Sequence, residues 1–182
     1  ANMVLLRGFA KYQRFPSMKE IYKLNSACIA VYPMYKGVAR LVGMETLEGA
    51  ETLDDEITVL KKNFNTYDFF FFHVKKTDSA GEDGNFKQKV KVIEDFDKKL
   101  SKILQLQPDV VVITGDHSTP SILKSHSWHP VPLLIYSKYC RADAAKKFGE
   151  IDCLRGGLGM INATDIMTLA MANALKLEKF GA

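Results

Sequence analysis

Long hydrophobic runs are missing from this sequence. The most apolar stretches, Phe69–Phe72 and Val110–Ile113, are strand-sized, far below the roughly 18 residues a membrane-spanning helix needs. Cysteine is scarce: Cys28, Cys140 and Cys153 are odd in number and show no C-x-x-C spacing. That excludes a disulfide scaffold and fits thiols in a reducing compartment. The start, Ala1-Asn2-Met3-Val4, has no basic region or cleavage site of a secretory signal, so the expected location is cytoplasmic. Repeats, low-complexity segments and Pro/Gly/Ser-rich linkers are also lacking, and the reading is one unit over residues 1–182. Charge of one sign is not in large excess. A net +4 suits an anionic substrate without arguing for nucleic acid. With 47% apolar and 25% charged residues, a disordered chain is excluded too.

What is present alternates between two periods. Strand-length apolar runs occur at Met3–Leu6, Ala27–Tyr32, Tyr67–Val74, Asp109–Ile113 and Val131–Ser137. Continuous apolar runs of this kind predict strands covered on both faces. Helical segments lie between them. Ser17–Leu24 opens with a capping-box pattern, Ser17 and Glu20. Met34–Met44 is weaker. Leu53–Phe64 has acids first and Lys61-Lys62 last, as the helix dipole prefers. Asn85–Leu106 places Phe86, Val90, Ile93, Leu100 and Leu104 near one face, and its lysines (Lys87, Lys89, Lys91, Lys98, Lys99, Lys102) read as a solvated face. Thr164–Leu177, capped by Thr164 or Asn162, is the last. The alternation predicts an α/β layered fold with its ligands beyond the carboxyl ends of the strands.

The chemistry-bearing residues gather at those ends. All four histidines fall between His73 and His129. The run Val111-Val112-Ile113-Thr114-Gly115-Asp116-His117-Ser118 is a buried strand stopped by glycine and followed by a carboxylate and an imidazole. That pair suits a divalent transition metal. Adjacent residues in an extended loop diverge, so the two could serve two ions. In Lys124-Ser125-His126-Ser127-Trp128-His129-Pro130-Val131-Pro132, either histidine could reach a metal, and the other could bind substrate or pack on Trp128. The segment from His73 to Gly84 brings Asp78, Glu82 and Asp83 in what reads as a flexible, glycine-containing loop, with Asp83 or Asn85 able to cap the next helix. Carboxylates and imidazoles in this number fit a two-metal phosphoryl-transfer site. Arg155-Gly156-Gly157-Leu158-Gly159 lacks the Gly-Lys-Ser/Thr ending of a Walker A loop and reads as a turn that could fold over the site. Lys36-Gly37 and Arg7-Gly8, each past a strand, could hold phosphate or carboxylate oxygens.

These stretches, with Val4-Leu5-Leu6-Arg7-Gly8, the Thr114–Pro120 and Lys124–Pro132 runs, Leu154–Gly159 and the closing Lys179-Phe180-Gly181-Ala182, resemble the alkaline phosphatase superfamily, and within it the archaeal-type cofactor-independent phosphoglycerate mutases. The resemblance covers nearly the whole chain. It implies a three-layer αβα sandwich, alkaline phosphatase-like and incomplete at its N-terminus. It implies two divalent ions, Mn2+ or Zn2+, and no bisphosphoglycerate. Asp116 and His117 would bind one ion, and Asp78 and His126 the other. Lys36 would line the pocket for a small phosphorylated carboxylic acid, and His129 is the second substrate-binding candidate.

Two departures stand out. The family's loop reads Asp-x-Ala-Gly-His-Asp-Gly, with the histidine a ligand of the second ion. Here Glu82 holds that position, and a carboxylate there shifts preference toward the harder ion. The family's serine nucleophile and its first metal-binding aspartate precede an inserted domain, and nothing here matches them. The abrupt strand at Met3 agrees with a preceding portion of the same protein, without which the chain should be inactive. Two alternatives remain at this stage: another phosphohydrolase or phosphomutase of the superfamily, or a non-catalytic metal-binding piece.

Overall fold

In the computed structural model, which describes Met3, Lys11 and residues 13–178, the chain divides into two units, Ala1–Lys75 and Lys76–Ala182. Residues 4–6 of the first expected strand, Arg7-Gly8 and the closing residues 179–182 lie outside the described residues.

The first unit is built on β1 (Ser26–Ala30), whose five residues are all buried. Its small side chains let helix α2 (Pro33–Leu41) approach closely, and Cys28, Ala30 and Ala39 pack with Tyr35, Met44 and Phe71. Cys28 is a buried free thiol, and burial pushes its pKa up. β1 is flanked by β2 (Glu45–Thr46) and β3 (Phe69–His73), both parallel to it, in the order β2-β1-β3. Parallel neighbours need crossovers, supplied by α2 and by α3 (Leu53–Asn63), which buries Ile57 and Leu60. The expected strand over Ala27–Tyr32 stops at Ala30, because Pro33 opens α2 at its first position. Two-residue β2 is too short to leave a periodic signal. The short α1 (Met18–Tyr22) carries the expected capping box: Ser17 Oγ accepts the Glu20 N–H at 3.1 Å and the Glu20 carboxylate accepts the Ser17 N–H at 2.6 Å.

The second unit begins with α4 (Lys76–Glu82) and α5 (Phe86–Leu104). The segment expected as a flexible loop is therefore a helix. Gly84, at φ 68°, ends it: Gly84 N–H donates to Gly81 O at 3.0 Å and Asn85 N–H to Ala80 O at 2.9 Å, the paired bonds of a glycine-terminated helix. Asn85 then caps α5 by accepting the Gln88 N–H at 3.0 Å. β4 (Val110–Thr114) and β5 (Leu133–Ser137) pair antiparallel, with Thr114 opposite Leu133. The connection between them leaves and returns at one edge, so no covering helix is needed. α6 (Glu150–Cys153), a 3-10 turn over Ala163–Asp165 and α7 (Ile166–Asn173) complete the unit. The last helix ends short of Leu177, where Leu175 takes a left-handed φ of 56°. The expected α/β class holds. β1 shows the full burial that continuous apolar runs imply, whereas β3 and β4 are partly exposed.

Candidate metal centre

The connection over residues 115–132 carries three of the four histidines. It is pinched at its base by a bridge between Ser118 and Ser127, where Ser127 N–H donates to Ser118 O at 2.9 Å. That bridge sets His117 and His126 side by side, ring centroids 3.8 Å apart. Thr114 Oγ1 donates to Pro132 O at 3.1 Å and Ser118 Oγ to His129 O at 3.2 Å, tying the two limbs further.

Helix α4 supplies the carboxylates. Asp78 and Glu82 are four residues apart, so both project from one face. Asp78, whose side chain is 13% exposed, lies deeper than Glu82 at 50%. His126 Nε2 sits 3.6 Å from Asp78 Oδ1 and 3.5 Å from Glu82 Oε1. On the other side, His117 Nε2 lies 3.6 Å from Asp116 Oδ2. These two neighbours do not diverge as an extended loop would have them, because Asp116 Oδ1 accepts the His117 N–H at 3.1 Å and folds the carboxylate back. Two ligands held about 2.1 Å from one ion at a tetrahedral angle are about 3.4 Å apart. The 3.5–3.6 Å separations match that spacing. Among the described residues, donor atoms of Asp78, His117 and His126 also lie within 4.8 Å of one another. Three carboxylates and two imidazoles so placed could hold divalent cations, and the donor set fits Mn2+ or Zn2+ chemically.

Three neighbours were not singled out by sequence reasoning. Thr119, 4% exposed, donates its hydroxyl hydrogen to Asp78 Oδ1 at 2.6 Å, and its Oγ1 lies 3.0 Å from His117 Nδ1. Lys89 is not solvated as the helix-face reading had it: its Nζ donates to Thr119 O at 2.7 Å. Gly81 is buried against the same carbonyl, which a Cβ there would strike. The recoverable signals were the Asp78/Glu82 spacing and the Gly84-Asn85 stop-and-cap pair.

The remaining expected residues stand elsewhere. His129 is exposed, hydrogen-bonded to Ser127 Oγ at 2.9 Å and stacked on Trp128. Lys36 belongs to the first unit, where its Nζ pairs with Glu48 Oε2 at 2.6 Å. The Lys36 hydrogen bond and charge hold the Glu48 carboxyl below its usual pKa. In the first unit too, the His73 ring stacks on Tyr35 at 3.7 Å. Asp83 does not cap α5. The Arg155–Gly159 turn is fastened by Asp143, whose Oδ2 accepts the Gly157 N–H at 2.7 Å.

Comparison with known proteins shows the family. The sequence profile of the Metalloenzyme superfamily matches residues 1–173. A Thermotoga neapolitana protein named "Probable 2,3-bisphosphoglycerate-independent phosphoglycerate mutase" is 60% identical over 181 residues, 100% of this chain and 45% of that protein. One of the same name from Aquifex aeolicus is 58% identical over 183 residues, with the same coverage of 100% and 45%. The chain thus spans about half the length of these relatives. Among solved structures, the PH0037 protein of Pyrococcus horikoshii superposes with a TM-score of 0.87 at 38% identity, over 92% of this chain and 54% of that one. The cofactor-independent phosphoglycerate mutase of Thermoplasma acidophilum, at 24% identity and TM-score 0.70 over 88% of this chain and 40% of its own, shares the fold.

Proposed function

Because the chain belongs to the Metalloenzyme superfamily, we propose that it is the C-terminal portion of a cofactor-independent phosphoglycerate mutase, and that residues 1–182 form the larger part of one metal-binding, phosphatase-type domain. The observation that supports this reading is the gathering of Asp78, Glu82, Asp116, His117 and His126, with carboxylate–imidazole separations of 3.5–3.6 Å and donor atoms of Asp78, His117 and His126 within 4.8 Å of one another. The reaction would interconvert 3- and 2-phosphoglycerate, an isomerisation of glycolysis and gluconeogenesis in the cytoplasm. The phosphoryl group would pass through a serine outside this chain, without bisphosphoglycerate.

Asp116 and His117 would hold one divalent ion; Asp78, His126 and Glu82 would hold the other. Bound there, Mn2+ or Zn2+ would supply positive charge to the oxygens of the transferring phosphoryl group. The chain's own part is to keep these donors fixed before substrate arrives, which the Ser118–Ser127 bridge and the α4 face support. Glu82, in the place of the family's histidine, is within reach of His126 and adds a carboxylate to the second set. Lys36, with its side chain 16% exposed and its ammonium oriented by Glu48, is the proposed cation for a substrate carboxylate or phosphate. His129 is the proposed second substrate contact.

The test is an assay of the full-length protein, supplied with Mn2+ and free of bisphosphoglycerate, for interconversion of the two phosphoglycerates. Asp78→Asn should lower kcat/KM by about 100-fold, since it replaces an anionic donor to one ion with a neutral amide oxygen. Absence of interconversion with either Mn2+ or Zn2+ contradicts the proposal. Hydrolysis of a generic phosphate ester without interconversion would instead point to a phosphohydrolase on the same metal core.

A further inference from the structure

The chain's modest positive charge is not spread evenly. A cavity of about 610 Å³ in the first unit is lined by Arg14, Lys19, Lys23 and Arg40, against one acid, Glu20. Of 25 basic and 21 acidic residues, these leave 21 against 20 for the rest of the chain. Most of the net +4 thus lines one small volume. Concave walls of one charge sign concentrate the field and draw in counter-ions. We infer that this cavity binds a small organic polyphosphate of the nucleoside diphosphate or triphosphate class, its phosphates on the four cations and its base on Phe15.

The walls are fixed before any ligand arrives. Met18 N–H donates to Val42 O at 2.9 Å, joining α1 to the end of α2. Gly43, at φ 72°, lies so near that a Cβ on it would stand 2.7 Å from Ser17 Cβ. Glu20 is already engaged: one carboxylate oxygen accepts from Ser17 N–H at 2.6 Å, the other from Arg14 Nη2 at 2.8 Å. Arg40 Nε and Nη2 donate to Thr46 Oγ1 at 3.0 and 2.7 Å, which orients its guanidinium. Lys23, the left-handed C-cap of α1, folds its Nζ back to Glu20 O at 2.9 Å. The segment before α1, α1 itself and α2 therefore each contribute cations to one site. Guanidinium groups match phosphate oxygens in pairs, and ammonium groups serve as point charges, so several phosphate groups on one ligand suit this set.

The apolar part decides between a bare polyphosphate and a nucleotide. Phe15 and Leu41 line the same cavity and are 48% and 45% exposed. A flat ring left half in water beside cations is a stacking surface for a base. The volume falls in the range of small-molecule sites, roughly 300–1,000 Å³, whereas an acidic polypeptide calls for an extended surface. The cavity shares no residue with the candidate metal centre, and the inference does not rest on the proposed reaction.

Calorimetric titration of the full-length protein tests this, with EDTA present so that no metal ion carries phosphate to the metal centre. ADP should bind with a Kd below about 1 mM, pyrophosphate more weakly, and adenosine and an oligo-aspartate peptide not measurably. Lys19→Glu should weaken ADP binding about 10-fold or more, the size of a lost charge-assisted contact; Arg14→Gln tests the same wall if that variant does not fold. Phe15→Leu should weaken ADP binding about 5-fold through lost stacking and leave pyrophosphate binding unchanged. Absence of ADP binding, or ADP binding indifferent to Lys19→Glu and Arg14→Gln, overturns the inference. Pyrophosphate bound as tightly as ADP, or ADP binding indifferent to Phe15→Leu, overturns the nucleotide class, and tighter binding of the aspartate peptide would make the surface a protein contact instead. None of these readouts depends on mutase activity.

Discussion

Gly81 lies in the middle of a helix, where alanine is ordinarily favoured by about 1 kcal/mol. Here the opposite sign is expected. A Cβ at Gly81 would meet the Thr119 carbonyl and crowd Lys89 Nζ at 3.1 Å, and backbone cannot yield as a side-chain tip can. Overpacking of this kind costs about 1–3 kcal/mol. Gly81→Ala should therefore lower the urea midpoint by more than its helix preference restores; a raised midpoint would contradict the close packing. At the same scale, Glu82→Ala should weaken uptake of one ion and spare the other, read by equilibrium dialysis with Mn2+. The candidate ligands were legible in the sequence because their types and positions after strands are chemically unusual. Thr119 was not, because a hydroxyl has no distinctive pattern and its contacts with Asp78 and His117 arise only when α4 and the β4–β5 connection meet.

Elements ended where their termini are capped more than where hydrophobic periods end. The sequence reading of α3 came within one residue, since Thr52 and Asp55 form a reciprocal cap there. Thr52→Ala should cost about 1 kcal/mol in chemical denaturation. Helix α4 escaped because seven residues with an internal glycine give no usable period, and its glycine is explained by packing across the unit. The Arg155–Gly159 turn is a second case of local chemistry. Hydrogen bonds from Gly157 N–H and then from Ala145 N–H hold the Asp143 carboxyl below its usual pKa. A depressed folded-state value means the contribution is present above the unfolded value of about 3.9 and lost as pH falls through the lower folded one. Asp143→Asn should speed Gly157 amide exchange at neutral pH, and wild type should approach the variant only in strong acid. Equal exchange in the two proteins at neutral pH would contradict the fastening.

At the scale of the whole molecule, the α/β class was readable from alternating periods, but pairing was not. β1 and β3 lie parallel because helices cross between successive strands of the first unit, whereas β4 and β5 lie antiparallel because the segment between them carries the site in place of a covering helix. That substitution concentrates Asp116, His117 and His126 in one connection of the second unit. Three carboxylates close together repel one another, and cations would relieve this. Mn2+ at about 100 times its Kd should add about 2.7 kcal/mol to stability, seen as a raised Tm that a chelator reverses. An unchanged Tm would count against binding to the folded chain.

The most direct measurement is anomalous diffraction from crystals of this chain soaked in Mn2+. Two peaks are predicted, one between Asp116 Oδ2 and His117 Nε2, the other among Asp78, Glu82 and His126 Nε2. A single peak shared by Asp78, His117 and His126, or no peak at these residues, would contradict the two-ion site.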